Sequence, residues 1–287
     1  MDGNLVRRVS FAAVAIPAAL GVVWFGGWLL TALVSIIAVL GTRELYDLAA
    51  RVSVRPSRTF GLLTCAVLPF VVQATLTDPG TATLVAHFWT GASALWLIIL
   101  LTLLLRFRGP DERPLAAASI TLFGVLYSGA LPLFLLDIRA MGGGPKSWAG
   151  AWLVFFPLVV TWICDTAAMF GGRAMGGPKL APTVSPGKTR SGAVAGVIGG
   201  LATAPLFNAL ALQPTGVGLS LADALLFAFV LSIVGQTGDL AESLFKREAG
   251  VKDSSDLIPG HGGVLDRLDS LYFVIPTAAV MYHLFGR

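Results

Sequence analysis

The chain has few charged residues for its length. Of its 287 residues, 13% are Asp, Glu, Lys or Arg, whereas a soluble domain has about 25%. So little charge cannot cover the surface of a water-soluble protein of this size. The hydrophobic residues, 55% of the total, fall into long runs, and a run of about 20 spans a bilayer as a helix. The composition therefore excludes a soluble globular protein and predicts an all-α, polytopic integral membrane protein.

Cysteine and histidine are scarce too, which argues against further classes of site. Cys65 and Cys164 both lie in hydrophobic runs and lack C-x-x-C spacing, so they indicate neither a disulfide framework nor a thiolate metal site. Of the three histidines, His87 and His283 lie in hydrophobic runs, so we expect no zinc site. The net charge of +4 comes without a basic patch interleaved with aromatic residues, which argues against nucleic-acid binding.

A Walker A loop is also missing. Gly187-Lys188-Thr189 imitates the end of such a loop, but Pro182 stands where its first glycine is required, and we predict no β-strand before it. We expect a basic turn whose Lys188 contacts a phosphate as a point charge. The alternative is that Lys188 is one of the basic residues that membrane proteins keep on their cytoplasmic side.

Hydrophobic runs separated by charged residues or by Gly and Pro predict nine transmembrane spans in one membrane domain. The spans cover approximately residues 9–26, 28–49, 59–77, 81–105, 115–136, 148–170, 192–212, 221–241 and 266–285. Spans 1 to 5 form the N-terminal part, 1–145, and spans 6 to 9 form the C-terminal part, 146–287. Two hydrophilic loops, roughly 171–191 and 242–266, lie in the C-terminal part, and we expect the polar chemistry there.

Two further patterns concern folding rather than chemistry. Gly192, Gly196 and Gly200 form a small-xxx-small ladder on span 7, which predicts close packing against another helix. Arg7 and Arg8 precede the first hydrophobic run without a small-residue cleavage site after it, so we expect an uncleaved first helix rather than a signal peptide.

The basic residues are divided unevenly between the two sides of the membrane that nine spans imply. All but three of the 20 Lys and Arg residues fall on the side of the N-terminus, the exceptions being Arg139, Lys146 and Arg287. Because basic residues concentrate in cytoplasmic loops, we expect a cytoplasmic N-terminus and an external C-terminus in a multi-pass protein of the cell (inner) membrane. Both hydrophilic loops then face the cytosol.

Four aspartates lie where the C-terminal spans meet the cytoplasmic side. Asp165 lies in span 6 and Asp239 near the end of span 8. Asp266 and Asp269 begin span 9, with a spacing that puts both on one helical face. Charged residues in membrane helices are costly and indicate function, and carboxylates without Cys or His suit Mg²⁺, which also binds substrate phosphates. The alternative for a single Asp at a helix start is an N-cap.

A glycine-rich turn, residues 258–263, precedes span 9 and includes His261, Gly262 and Gly263. Glycine lets the backbone approach an anion closely and aim N–H groups at it. Basic residues surround the turn, namely Lys246, Arg247, Lys252 and Arg267. The combination indicates a phosphate-binding loop, whereas each feature alone is also typical of an ordinary cytoplasmic loop.

Residues 243–269 resemble the phosphatidate cytidylyltransferase signature, S-x-apolar-K-R-x4-K-D-x-small-x2-apolar-P-x-H-G-G-apolar-x-D-R-apolar-D. Every fixed position is met, by Ser243, Lys246, Arg247, Lys252, Asp253, Ser255, Ile258, Pro259, His261, Gly262, Gly263, Asp266, Arg267 and Asp269. Gly238-Asp239-Leu240 and Asp165-Thr166 also resemble the family, and so, more generally, do Arg8 and Glu44. One departure is that the family commonly has Trp-Glu-Gly where this chain has Arg190-Ser191-Gly192, so an acid is missing there.

The resemblance implies conversion of CTP and phosphatidic acid into CDP-diacylglycerol and pyrophosphate, among membrane lipids, with Mg²⁺ as cofactor and a second cation left open; it is also compatible with a homodimer. With the residues above it predicts three sets of site residues. The catalytic set is Asp239, Asp266, Lys188, Arg267 and His261. The substrate-binding set is Ser185, Arg190, Lys246, Arg247, Lys252, Gly262 and Gly263. The metal ligands are Asp239, Asp266, Asp269 and Asp165.

Two alternatives to this activity remain open from the sequence. One is an ion-coupled membrane transporter, which would need acids near the bilayer midplane and matched inverted halves. Most acids here gather at one rim, and no inverted repeat is evident. The other is a related nucleotidyltransferase that acts on another lipid phosphate, which the motifs do not separate from the first.

Overall fold

The computed structural model describes residues 17–258, 260 and 262–286, and most of them are helical. Seven helical segments are long and hydrophobic enough to cross a membrane. These segments are Gly27–Arg51, Arg58–Thr77, Pro79–Phe107, Pro110–Met141, Trp148–Met175, Arg190–Thr215 and Leu221–Glu248. The prediction of an all-α polytopic membrane protein is confirmed.

Within these segments the regular elements follow one another with few loops. The first half contains α1, described over 17–25, α2 (Gly27–Arg51), α3 (Arg58–Thr77), α4 (Pro79–Phe107), a 3₁₀ turn (Pro110–Glu112), α5 (Pro114–Gly124), a π-helical turn (Val125–Ala130), a 3₁₀ turn (Leu131–Leu133) and α6 (Phe134–Met141). The second half contains α7 (Trp148–Met175), β1 (Lys179–Ala181), β2 (Ser185–Thr189), α8 (Arg190–Phe207), a π-helical turn (Asn208–Leu212), a 3₁₀ turn (Gln213–Thr215), α9 (Leu221–Glu248), α10 (Val264–Leu268) and α11 (Leu271–Leu284).

The seven segments correspond to predicted spans 2 to 8. Span 1, 9–26, lies partly outside the described residues. Span 9 corresponds to α11, which has 14 residues and is therefore about 21 Å long, less than the roughly 30 Å of a hydrocarbon core. The count of nine spans and the orientation of the termini stay predictions.

The junction between α1 and α2 is held by a buried arginine. Gly26 and Gly27 have positive φ angles of 63° and 56°, which break the helix there. Arg139 donates from Nε to the carbonyl of Val23 (2.8 Å) and from Nη2 to that of Trp24 (2.9 Å). It is only 4% exposed. One of the three basic residues predicted on the external side is thus a helix cap rather than a loop charge.

The predicted glycine ladder packs α8 against its neighbours. Gly192, Gly196 and Gly200 are all buried. A Cβ atom on Gly196 would lie 3.0 Å from the carbonyl oxygen of Cys164 on α7, and one on Gly200 would strike Ser232 Oγ on α9. Only glycine lets α8 approach both helices this closely, so the packing interpretation is confirmed.

A β-hairpin lies in the loop 171–191, where the sequence predicted no strand. Antiparallel β1 and β2 pair Lys179 with Thr189. The turn between them has a hydrogen bond from Val184 N to Ala181 O (3.3 Å), and Pro182 occupies the second turn position, where its fixed φ is favourable. The loop is therefore an ordered arm that emerges from α7 and leads into α8.

Candidate active site

The hairpin places Lys188 beside the end of α9. Its ammonium lies 2.5 Å from the Oδ2 atom of Asp239, and both side chains are about a quarter exposed (28% and 27%). Thr189 then begins α8, because its hydroxyl accepts a hydrogen bond from Gly192 N (3.1 Å). The hairpin and α8 thus bring together Lys188 and Asp239, which the sequence analysis predicted as catalytic residues.

A cavity of about 560 Å³ lies under the hairpin, between α7, α8 and α9. Three basic residues line it, namely Arg173, Lys179 and Lys188, together with Asp165. Much of the remaining wall is glycine, from Gly172, Gly176, Gly177, Gly187 and Gly192. A basic cavity with five glycines in its wall suits a ligand that carries several negative charges and needs close backbone contact.

Asp165, Asp239 and Asp269 form what we call the open cluster. Asp165 interacts unfavourably with the charges of Asp269 and Asp239, and favourably with Lys188. Burial first, and then the charge of Asp239, raises the pKa of Asp269 to about 6. Ser243 Oγ lies 3.3 Å from Asp239 Oδ1. Three acids from three elements thus gather around one lysine.

Glu44, Glu242 and Asp266 form a second group, the buried cluster, with 3%, 0% and 8% of each residue exposed. The Lys246 ammonium bridges two of them, 3.0 Å from Glu242 Oε1 and 2.6 Å from Asp266 Oδ1. Such a buried ion pair is held together by the high cost of leaving either charge alone.

Asp266 also organises the loop before it. Its Oδ2 atom accepts hydrogen bonds from Ser254 N, Ser254 Oγ and Gly263 N, each 2.8 Å long. Burial opposes ionisation of Asp266, but the hydrogen bonds from Lys246 and from these amides outweigh it and hold its pKa below the ordinary value. Both carboxylate oxygens of this predicted metal ligand therefore already have protein donors.

Glu44 was given no role by the sequence reasoning. It lies on α2 and accepts hydrogen bonds from the loop that precedes α10 and from the first turn of α10. The signal that could have found it is an acid inside a predicted span, because such an acid needs partners.

The open cluster fits a hard divalent cation that arrives with a phosphate ligand. Across the part of the chain that the structure describes, no group of three or more His, Cys, Asp or Glu side chains is arranged to hold a metal ion by itself. Mg²⁺ does not need one, since it commonly uses one or two carboxylates together with phosphate oxygens and water. The donor chemistry of Asp165, Asp239 and Asp269 meets that requirement. A cation at Asp239 would have to displace Lys188 from Oδ2, and a cation at Asp266 would have to displace Lys246.

Comparison with known proteins agrees with this chemistry. A model of the cytidylyltransferase family matches residues 6–285. The chain belongs to this family. The phosphatidate cytidylyltransferase of Brucella suis biovar 1 is 37% identical over 283 residues, 99% of this chain and 93% of the relative. That of Synechocystis sp. is 32% identical over 294 residues, 94% of each chain.

A plant relative extends the comparison beyond bacteria. Phosphatidate cytidylyltransferase 5 of Arabidopsis thaliana, a chloroplastic protein, is 31% identical over 304 residues, which cover 96% of this chain and 70% of the relative. The similarity to all three relatives thus includes both the spans and the two polar loops of this cytidylyltransferase family member.

The remaining basic residues predicted to bind substrate are spread around the hairpin of this family member. Arg247 donates to the carbonyls of Val184 and Val251, both at 3.1 Å, so it ties the hairpin to the end of α9. Arg190 is exposed at the start of α8, and Ser185 lies half-buried on β2. The structure therefore brings Lys188 to the acids but uses Arg247 as a structural tie.

The glycine-rich turn contacts the buried cluster, because Gly263 N donates to Asp266 Oδ2 (2.8 Å). Gly262 has a φ of +77° and accepts a hydrogen bond from Ile258 N (2.8 Å), while Gly263 is buried. Lys252 and Arg267 are exposed. His261, predicted as a catalytic residue, lies outside the described residues.

Proposed function

We propose that this chain transfers the cytidylyl group of CTP to phosphatidic acid, producing CDP-diacylglycerol and pyrophosphate. The observation that carries the proposal is the placement of Lys188 on Asp239 beside Asp165 at one basic cavity. A ligand for such a cavity must be a polyanion. The relatives named phosphatidate cytidylyltransferase indicate which polyanions these are.

The reaction brings together two negatively charged molecules. An oxygen of the lipid phosphate attacks the α-phosphorus of CTP, the bond from that phosphorus to the bridging oxygen of the β-phosphate breaks, and pyrophosphate leaves with the electron pair. The attacking oxygen is already ionised, so no strong base is required. Lys188, Lys179 and Arg173 line the cavity and would offset the repulsion between the phosphates and the charge on the departing pyrophosphate.

Mg²⁺ would be held by Asp239 if Lys188 moves aside, with Asp165 and Asp269 as further ligands, and by Asp266 if Lys246 moves aside. When bound, the cation neutralises charge on the phosphates. The chain's own acids would hold and orient it, and the lysines and arginine of the cavity would hold the phosphate oxygens. The unfavourable interactions among the three open-cluster acids support this proposal, because a cation relieves them.

We place this site on the cytosolic side of a bacterial cytoplasmic membrane. The uneven division of Lys and Arg supports that side, and two of the relatives named above come from bacteria. CTP is made and kept in the cytosol, so a site on this face meets its nucleotide directly.

Purified protein in phosphatidic acid micelles tests the proposal. We expect a CDP-lipid with CTP, and a panel of other lipid phosphates and nucleotides defines the selectivity. Lys146→Ala serves as the control, because Lys146 is one of the three basic residues predicted on the external side of the membrane. This variant should leave turnover unchanged. Turnover only with a lipid phosphate other than phosphatidic acid would redirect the proposal, and CTP-independent ion flux in proteoliposomes without turnover would contradict it.

A further inference from the structure

Glu44 on α2 holds a segment of chain that is more than 200 residues away in sequence. Its Oε1 atom accepts from Ser255 Oγ (2.7 Å) and Val264 N (3.0 Å). Its Oε2 atom accepts from Ser254 Oγ (2.8 Å) and Leu265 N (2.9 Å). The residue is 3% exposed. A buried carboxylate is tolerated when its oxygens are satisfied in this way.

The four donors come from the loop between α9 and α10, residues 249–263, and from the helix that follows it. Ser254 and Ser255 lie within the loop, whereas the amides of Val264 and Leu265 belong to the first turn of α10 and have no helical partner. Glu44 therefore closes the loop and caps α10 from another helix. Because α10 ends at residue 268, the cap also fixes the direction in which the chain reaches Asp269.

The loop is shaped for this contact. A Cβ atom on Gly263 would strike both Ser254 Oγ and Glu44 Oε2, so only glycine permits the approach. Ser254 Oγ lies 2.8 Å from Glu44 Oε2 and 2.8 Å from Asp266 Oδ2. A hydroxyl has one proton, so Ser254 donates to one of the two carboxylates at a time and links them.

We infer that Glu44 is a positioning residue for the open cluster. It anchors residues 254–265 to α2 and thereby sets where Asp269 stands relative to Asp239 and Asp165. Glu44 itself contacts the loop rather than the cavity. The inference rests on the proposed function for its kinetic test, and it assigns the N-terminal part of the chain a direct part in building a site whose predicted residues all lie in the C-terminal part.

Steady-state kinetics of Glu44 variants give the first test. Glu44→Ala removes every acceptor and should lower kcat on the order of 100-fold, the scale of a misplaced catalytic group. Glu44→Gln keeps the shape and one acceptor oxygen, so a loss of about tenfold is expected, since one charge-assisted hydrogen bond is worth about that factor. The KM for the lipid phosphate should stay within about twofold, because ground-state binding is not the affected quantity.

Asp47→Asn is the matched control. Asp47 lies one turn later on α2, 44% exposed and paired with Arg58 at 2.6 Å. Its variant should keep the kcat of the wild type. If Glu44→Ala does not fold, Glu44→Gln and Ser255→Ala, which removes one donor of four, still test the inference, and both should lower kcat.

Hydrogen–deuterium exchange gives a readout that needs no activity. In Glu44→Gln, peptides that cover 254–268 should exchange faster, because Val264 and Leu265 lose a charged acceptor, while the peptides of α7 and α9 stay protected. If the variant exchanges faster but the wild-type protein does not turn over CTP, the proposed function is overturned and the anchoring is supported. Unchanged exchange, or wild-type kcat in Glu44→Gln with an active wild type, would overturn the inference.

Discussion

The open cluster and the buried cluster share two elements but differ in their partners. Helix α9 supplies Asp239 to the open cluster and, one turn later, Glu242 to the buried one. The chain around α10 supplies Asp269 to the open cluster and, one turn earlier, Asp266 to the buried one. The two acids of each pair are three residues apart, so their positions on the backbone are similar. The side chains and amides that surround them distinguish the two clusters.

In the buried cluster Asp266 and Glu44 have donors of their own, whereas Glu242 depends on one ion pair. Backbone amides and serine hydroxyls donate to Asp266 and Glu44. The Lys246 ammonium lies between Glu242 and Asp266, and Glu242 Oε2 has no hydrogen-bond donor among the described residues. In the open cluster the acids mainly face one another and share Lys188. Carboxylates that accept hydrogen bonds or ion pairs from the protein stabilise its structure. Carboxylates that repel one another suit a cation brought by the substrate.

Chelation of divalent cations has the largest expected effect on this comparison. EDTA should abolish turnover of CTP, because the open cluster then holds no cation to offset the phosphates. The melting temperature should change little, since the buried cluster relies on protein donors. Mg²⁺ in excess should restore turnover. Unfolding on chelation, or full activity in EDTA, would contradict the division of roles.

Asp239→Asn should separate activity from stability. We expect a fall in kcat of about 1000-fold, the scale seen when one charge-stabilising group is lost, with a change in unfolding free energy below about 1 kcal/mol, as for other partly exposed pairs. Asp137→Asn is the matched control, because Asp137 is 28% exposed and pairs with His283 away from the cavity. Equal losses of activity in the two variants would contradict the assignment.

Asp266→Asn should lose stability as well as activity. Removing the charge leaves the buried Lys246 with Glu242 alone, and breaking a buried pair costs about 3 kcal/mol. We expect kcat to fall about 100-fold through the displaced loop. Chemical denaturation of the purified variant beside Asp239→Asn measures the difference. Wild-type stability with no turnover would instead favour Asp266 as a metal ligand, as the sequence predicts.

Lys188→Ala should have the smallest effect of the series. Its ion pair with Asp239 is partly exposed, so the unfolding free energy should change by less than about 1 kcal/mol. Loss of one phosphate contact should reduce kcat/KM for CTP by about tenfold, measured by varying CTP at saturating lipid. An unchanged kcat/KM would show that Lys188 does not contact CTP and is only one of the basic residues kept on the cytoplasmic side.

Features with a local cause could be predicted from the sequence. The spans follow from runs of hydrophobic residues, and the ladder of Gly192, Gly196 and Gly200 follows from a helical period. Asp165 and Asp239 could be predicted as candidate site residues, because each acid interrupts a hydrophobic run. These inferences need only residues within a few turns of one another.

Features that depend on residues distant in sequence could not be predicted. Glu44 meets Leu265 across 221 positions, and no local pattern reports that contact. The sequence also does not show that Lys246 would pair with Asp266 rather than bind substrate, since that depends on how α9 and α10 pack. The hairpin was missed because its strands are three and five residues long, although Pro182 signals the turn.

Position-labelled CTP tests the central claim most directly. Purified protein is incubated with phosphatidic acid, Mg²⁺ and CTP that carries the label on either the α- or the γ-phosphate. We predict that the α-label appears in the lipid product and that the γ-label appears in pyrophosphate. Transfer of the γ-label to the lipid, or retention of both labels in nucleotide, would contradict cytidylyl transfer at this site.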